Sequence, residues 1–304
     1  MDTVIAVDGL HKRYGDTVAV ADISFAVRRG EIFGLLGANG AGKTTTVEAV
    51  QGLRARDGGH VDVLGIDPAR NARALRGRIG SQLQSSALPD RMRVGEAIRL
   101  FASGLDADVD VDATLRTWDL AAVRRRAFAA LSGGQRQRLF LALAMLGHPE
   151  VVVLDELTTG LDPQARRATW DLVRAVRDRG ATVVLVTHFM EEAELLCDRV
   201  AIVDGGRIVA LDTPAALIAE RGNGVALTFS SGGRDVGFLS HVPGVDRVTT
   251  TDGLVTVTAA APAAAPVAAS LAGHGISPPD FRTHHPTLED VFLTVTGRTL
   301  QEQS

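Results

Sequence analysis

A glycine-rich segment near the N-terminus has the residue pattern of a phosphate-binding loop. Residues Gly37 to Thr44 fit G-x-x-x-x-G-K-T, follow an apolar run and open a stretch of helical character. Glycines let backbone N–H groups turn toward phosphates, and the N-terminus of the following helix adds about half a positive charge. The nucleotide contacts predicted in this segment are Gly37, Asn39, Gly40, Gly42, Lys43, Thr44 and Thr45.

Two residues of this segment have distinct chemical roles. Lys43 is one of only two lysines in a chain that is otherwise basic through arginine. Its compact ammonium suits the β- and γ-phosphates, where the planar fork of arginine would not fit. The hydroxyl of Thr44 is expected to bind Mg²⁺.

A pair of acids ends the apolar run Val151 to Leu154. Asp155 is predicted to bind Mg²⁺. Glu156 is predicted to accept a proton from the attacking water, a role that contributes roughly 10²- to 10⁴-fold to a rate.

A second possible anion-binding segment precedes this strand. Residues Leu131 to Gln135 read L-S-G-G-Q, and Ser132 begins a run with helical character that extends to about Leu146. Backbone N–H groups at a helix N-terminus favour an anion.

The elements that position these groups alternate between strand and helix. Val151 to Leu154 and Thr182 to Val186 are β-branched runs of buried-strand length, and Pro163 to Arg179 fits a crossover helix between them. Residues 90–147 favour helix. This order predicts an α/β fold with a parallel sheet covered by helices.

The composition changes near residues 221–224, which predicts two domains, 1–222 and 223–304. Asp252-Gly253 is a hairpin signal, and Thr287 with Asp290 favours the start of a helix. The second domain is predicted to be a small α+β unit, with a ferredoxin-like fold as one candidate. Residues 259–269 carry two prolines, so they are either part of this domain or a partly flexible linker.

Bulk composition narrows the classes of function. The net charge of −4 and the pI near 6.1 give no reason to expect nucleic acid as the main partner. Cys197 is the only cysteine, so no intramolecular disulfide forms, and a reducing cytosol is the expected compartment. Neither a signal peptide nor a membrane span is predicted.

Together these motifs resemble the ATP-binding subunit of an ATP-binding cassette (ABC) transporter, over about residues 3–222. Gly37 to Thr44 matches the family's Walker A segment, Val151 to Glu156 its Walker B segment, and Leu131 to Gln135 its signature. The resemblance implies a P-loop NTPase cassette with a mainly parallel core sheet, an antiparallel N-terminal sheet and a helical signature subdomain. The small C-terminal α+β domain would follow this cassette.

The resemblance also assigns roles to single residues. Tyr14 would stack on adenine, Gln84 would contact Mg²⁺ and the phosphates in the Q-loop, and His188 would contact the γ-phosphate. Gln82 competes for the place of Gln84. Asp162 would belong to the D-loop. In the signature, Ser132, Gly133, Gly134 and Gln135 would contact the ATP of a partner subunit. Leu157 and Ala38 depart from the family, where proline is common at both positions.

The C-terminal run from Pro286 to Phe292 resembles cassettes that serve bacterial drug exporters of the daunorubicin-resistance (ABC-2) type. The resemblance implies an ATPase with ATP and Mg²⁺ as cofactors, acting as a homodimer with a separate membrane permease. It would lie peripherally on the cytoplasmic face of the membrane. Two alternatives remain open: a soluble cassette ATPase acting on nucleic acid or ribosomes, and a nucleotide-binding regulator without turnover.

Overall fold

A computed structural model describes residues 2–82, 87–105, 109–221 and 224–297. The chain forms two compact units, one ending at Pro214 and the other beginning at Ala215. In the described chain, no helix has both the length and the apolar composition that crossing a bilayer requires.

Nine strands of the described chain form the large sheet of the first unit, in the order β4-β1-β2-β9-β8-β3-β7-β6-β5. These strands are β1 Thr3–Tyr14, β2 Thr17–Arg28, β3 Ile32–Leu36, β4 Gly58–Val63, β5 Ile79–Gln82, β6 Val151–Asp155, β7 Thr182–Thr187, β8 Arg199–Asp204 and β9 Arg207–Asp212. Strands β8, β3, β7, β6 and β5 are parallel, whereas β4, β1 and β2 are antiparallel. The predicted combination of a parallel core and an antiparallel N-terminal sheet is therefore confirmed.

The helices of the first unit include the predicted helical region between β5 and β6. They are α1 Lys43–Val50, α2 Pro68–Asn71, α3 Val94–Ala102, α4 Val111–Thr117, α5 Gly133–Ala144, α6 Pro163–Asp178 and α7 Met190–Leu196. The crossover helix α6 begins with Pro163 at its first turn, where the missing N–H costs nothing.

The parallel strands β3, β7 and β6 place the site. All three are fully buried, and they lie side by side. Because their carboxyl ends meet at one edge of the sheet, the loops after Leu36, Asp155 and Thr187 converge there.

Strand β1 extends well beyond the apolar run Val4 to Val7, which is the part that the sequence itself indicates to be a strand. The pairing with β2 continues to Tyr14 across a register shift between Val7 and Leu10. Gly9 lies in this shift with φ of 56°. Its left-handed backbone marks a bulge within the strand and not the end of the strand.

All but the first residue of α8 Pro214–Arg221 belongs to the second unit, whose described residues form a four-stranded antiparallel sheet in the order β11-β12-β10-β13. Its other elements are β10 Val225–Ser230, β11 Val245–Thr251, β12 Leu254–Ala259, α9 Ala264–Gly273, β13 Arg282–His284 and α10 Leu288–Thr296. The sheet buries Leu227, Phe229 and Val257 on one face, with Val267 and Leu271 of α9 in the same core.

Two local sequence patterns in this unit, a hairpin and a helix start, are predicted correctly. Asp252 and Gly253 both have positive φ and join β11 to β12, as a type I′ hairpin requires. Thr287 and Asp290 form the capping box of α10. The linker interpretation of residues 259–269 is wrong, because α9 buries two of its apolar side chains in the core. The predicted domain boundary after residue 222 and the ferredoxin-like fold of the second domain stay predictions.

Candidate functional site

The loop between β3 and α1 requires glycine at two positions. Gly42 has φ of 102°, and a Cβ there would lie 2.4 Å from the carbonyl oxygen of Ala19. A Cβ on Gly37 would lie 2.4 Å from the carbonyl oxygen of Val203. Side chains at these positions would push the loop off its neighbours, so the conformation of the loop depends on both glycines.

Lys43 is folded back onto this loop. Its Nζ donates hydrogen bonds to the carbonyl oxygens of Gly37 at 2.8 Å and Ala38 at 2.9 Å, and the residue is 5% exposed. Burial lowers the pKa of Lys43, against the opposing charges of Glu156 and Asp155. The loop thus holds an ammonium beside the first turn of α1.

Asp155 and Thr44 form a second polar pair. The hydroxyl of Thr44 donates to Oδ2 of Asp155 at 3.3 Å, while Oδ1 is buried with no hydrogen-bond partner among the described residues. Burial, and then the charge of Glu156, raise the pKa of Asp155 to about 6. A buried carboxylate oxygen with no partner beside a hydroxyl is suited to a hard divalent cation such as Mg²⁺.

Glu156 follows on a strained turn. Its φ of 51° lies in the left-handed region, which is unfavourable for a side chain of this size. Its backbone N–H donates to the carbonyl oxygen of Val186 at 2.9 Å, which ties the turn to β7. Its Oε1 lies 3.3 Å from Nδ1 of His188, which follows β7.

Six of the seven nucleotide contacts predicted in the glycine-rich segment share one cleft. It has a volume of about 280 Å³. Its lining residues are Ala19, Asn39, Gly40, Gly42, Lys43, Thr44, Thr45 and Glu156. The cleft therefore combines the N-terminus of α1, a cation and a carboxylate. The first two can bind a phosphate group, and the carboxylate can accept a proton during hydrolysis.

Tyr14 lies at the end of β1 and is 40% exposed. Nζ of Lys12 lies 5.4 Å from its ring centroid, and Cζ of Arg54 lies 5.6 Å from it. Tyr14 does not line the cleft, so its role with the base stays a prediction.

The signature residues lie on the surface and not in this cleft. Ser132, Gly133 and Gly134 are exposed, and Ser132 caps α5. The hydroxyl oxygen of Ser132 accepts a hydrogen bond from the backbone N–H of Gln135 at 3.3 Å. In return, Oε1 of Gln135 accepts from the backbone N–H of Ser132 at 3.1 Å. A Cβ on Gly134 would meet no atom within 4 Å, so packing within the chain does not require glycine there.

The remaining predicted site residues are Asp162 and Gln84. Asp162 is exposed and caps α6, because its Oδ1 accepts from the N–H of Ala165 at 2.8 Å. Gln84 lies outside the described residues. Its competitor Gln82 ends β5, is 7% exposed, and has an Oε1 with no hydrogen-bond partner in the described chain.

Two buried polar side chains near the site, Gln137 and Glu192, were not predicted from the sequence. Gln137 of α5 donates to the carbonyl oxygen of Leu157 at 2.7 Å. Glu192 of α7 is fully buried, and accepts from Nε1 of Trp170 at 3.1 Å. Burial raises the pKa of Glu192. Both lie in polar helical runs where exposure is the ordinary expectation, so no signal in the sequence marks them.

Comparison with known proteins agrees with this geometry. The family model of the ABC transporter matches residues 20–159. A daunorubicin resistance ATP-binding protein, DrrA3 of Streptomyces coeruleorubidus, is 38% identical over 97% of this chain and 96% of its own length. The Nod factor export ATP-binding protein I of Ralstonia nicotianae is 39% identical over 98% of this chain and 95% of its own.

A solved structure described as an ATP-binding subunit of an ABC transporter is similar in fold and sequence. It superposes with a TM-score of 0.64 and 28% identity, over 72% of this chain and 93% of that one. A nucleotide-free ATP-binding cassette shares the fold at a TM-score of 0.61 and 20% identity, over 69% and 91% of the two chains.

Proposed function

Because the chain belongs to the ABC transporter family of ATP-hydrolysing subunits, we propose that it drives the export of a drug-like or antibiotic-like small molecule through a separate membrane permease. The observation that carries the proposal is the cleft that joins Lys43, Thr44 and Glu156. It occurs in a chain similar over 97% or more of its length to a daunorubicin resistance ATP-binding protein and a Nod factor export ATP-binding protein. The proposed location is the cytoplasmic face of the membrane.

Residues that line the cleft and residues beside it have separate roles in hydrolysis. The loop from Gly37 to Thr44 binds the ATP phosphates through backbone N–H groups, and Lys43 turns its ammonium toward them. Thr44 and Asp155 would hold Mg²⁺, which would supply positive charge to offset the negative charge of the phosphates. Glu156 takes the proton from water, and His188 keeps the Glu156 carboxylate oriented.

We further propose that two copies of the chain assemble around ATP. The signature residues Ser132 and Gly134 are exposed at the N-terminus of α5, where an anion is favoured, yet they do not line the cleft of their own chain. The open space around Gly134 leaves room for a phosphate from another subunit. Each ATP would then be held by Walker A of one copy and the signature of the other.

Transport into inverted membrane vesicles tests the proposal. The chain is co-expressed with a candidate permease, a membrane protein sought in the neighbouring reading frames, and daunorubicin fluorescence reports accumulation. ATP should drive uptake in wild-type vesicles and not in vesicles that carry Lys43→Ala. Equal accumulation with both chains, or failure of the membrane protein to co-purify, would contradict the exporter assignment.

A further inference from the structure

A buried side-chain hydrogen bond links helix α5 to the carbonyl of Leu157, the residue after the proposed base. Nε2 of Gln137 donates to the carbonyl oxygen of Leu157 at 2.7 Å. Gln137 is 7% exposed and Leu157 is 3% exposed. Since water does not compete at such a site, the bond is stronger than its surface counterpart. Its loss would leave a buried carbonyl oxygen without this donor.

This bond acts on a backbone that needs support. Glu156 has φ of 51°, and such a conformation persists only where the surroundings hold it in place. One restraint comes from β7, where the carbonyl oxygen of Val186 accepts from the N–H of Glu156. The bond from Gln137 restrains the peptide between Leu157 and Thr158, on the other side of Glu156. The turn that carries Glu156 is therefore held from both sides.

The second restraint comes from the helix that carries the signature. Helix α5 begins at Gly133 with Ser132 as its cap. Gln137 lies five residues beyond the cap, about 7.5 Å along the helix axis at ~1.5 Å per residue. A continuous hydrogen-bonded helix of this length moves as one body. A shift at Ser132 therefore reaches the Leu157 carbonyl through Gln137.

We propose that Gln137 is a positioning residue for ATP hydrolysis, which holds the carbonyl of Leu157 next to Glu156 and transmits the position of the signature helix to the base. The part of the proposal in which Gln137 transmits the position of the signature helix rests on the proposed shared ATP site. The restraint on Glu156 itself rests only on the contacts within one chain. Gln137 lies outside the cleft, so it acts through Glu156 and not on ATP.

Two substitutions separate this role from simple packing. Gln137→Met keeps the length of the side chain and removes the donor. Its kcat should fall about tenfold or more while KM for ATP stays within about twofold of wild type, because only the base is displaced. Gln137→Glu cannot donate when ionised, but its protonated carboxyl can. Its kcat relative to wild type should therefore rise as the pH falls from 8 to 6.

Thr169→Val provides the matched control. Thr169 of α6 is 2% exposed and donates to the carbonyl oxygen of Ala165 at 2.9 Å, so the substitution removes a buried side-chain bond away from the cleft. This variant should keep the wild-type kcat. Thermal unfolding of all three variants shows whether each is folded at the assay temperature.

The result that overturns the proposal is a folded Gln137→Met chain with kcat within twofold of wild type. If Gln137→Met does not fold, the pH profile of Gln137→Glu decides, and a flat ratio to wild type overturns the proposal. The shared-site proposal is tested by mixing Ser132→Arg and Lys43→Ala chains. If that mixture recovers no activity while Gln137→Met still lowers kcat, the shared site fails and the restraint on Glu156 stands.

Discussion

Oε1 of Glu156 and Nδ1 of His188 lie 3.3 Å apart, although the two residues follow different strands. The side chain of Glu156 is only 8% exposed, while that of His188 is 25% exposed. Adjacent parallel strands β6 and β7 produce this pairing, since their carboxyl ends lie side by side. The proposed base thus contacts a group that is partly exposed to solvent.

Removal of the proposed base should separate ATP binding from hydrolysis. In Glu156→Gln the amide keeps the size of the side chain but cannot take a proton, so turnover should fall roughly 10²- to 10⁴-fold. ATP should then accumulate in an undissociated dimer, measured by phosphate release and size-exclusion chromatography. Unchanged turnover would mean that another group is the base.

His188→Ala should act through the same step. If His188 orients Glu156, the losses from His188→Ala and Glu156→Gln should be strongly non-additive in kcat. The double variant should be no more than about twofold slower than Glu156→Gln alone. Independent losses that multiply would assign His188 a separate role on ATP.

The raised pKa of Asp155 makes a prediction for stability. The folded chain binds the Asp155 proton more tightly than the unfolded chain, whose carboxyl has the ordinary pKa of 3.8. Asp155 therefore favours folding below pH 3.8, and this contribution is lost as the pH rises through about 6. The loss is at most about 3 kcal/mol for a shift of roughly two units.

Asp155→Asn should thus raise the Tm of the chain without nucleotide at pH 7.5. The same substitution should remove the additional stabilisation that Mg²⁺ gives in the presence of ATP. Differential scanning calorimetry with and without Mg²⁺ measures both effects. A lower Tm for the variant without nucleotide would show that the ionised carboxylate stabilises the empty site.

The shared ATP site predicts complementation between two inactive chains. Ser132→Arg blocks the signature and Lys43→Ala disables Walker A, so each chain alone should be inactive. A one-to-one mixture should recover about a quarter of the wild-type sites, because half of its dimers are mixed and each has one intact site. Full activity of either variant alone would show that the site is not shared.

Asp162 should show two separable roles. Asp162→Ala removes the cap of α6 and should lower the free energy of unfolding by about 1 kcal/mol. Asp162→Ser keeps a capping oxygen, so its stability should stay near that of wild type. If Asp162→Ser still loses ATPase activity, the carboxylate serves the dimer; if both variants hydrolyse normally, capping is its role.

The sequence predicts the parts of the site that lie within one segment. The phosphate loop, the acids after β6 and the caps of α5 and α10 depend on neighbours a few residues away, so their patterns are legible. The full length of β1 is not, because Gly9 interrupts the apolar alternation. The bond from Gln137 to Leu157 joins residues twenty apart and leaves no periodic trace.

The left-handed turn at Glu156 has a consequence for how the protein can be stabilised. Such a backbone costs on the order of 1 kcal/mol or more for a residue of this kind, and glycine or asparagine would relieve it. A screen for thermostability alone should therefore favour the loss of Glu156 and select stable chains that bind ATP without turning it over. Glu156 is needed for hydrolysis but lowers the stability of the fold. Selection for stability must therefore be coupled to selection for turnover.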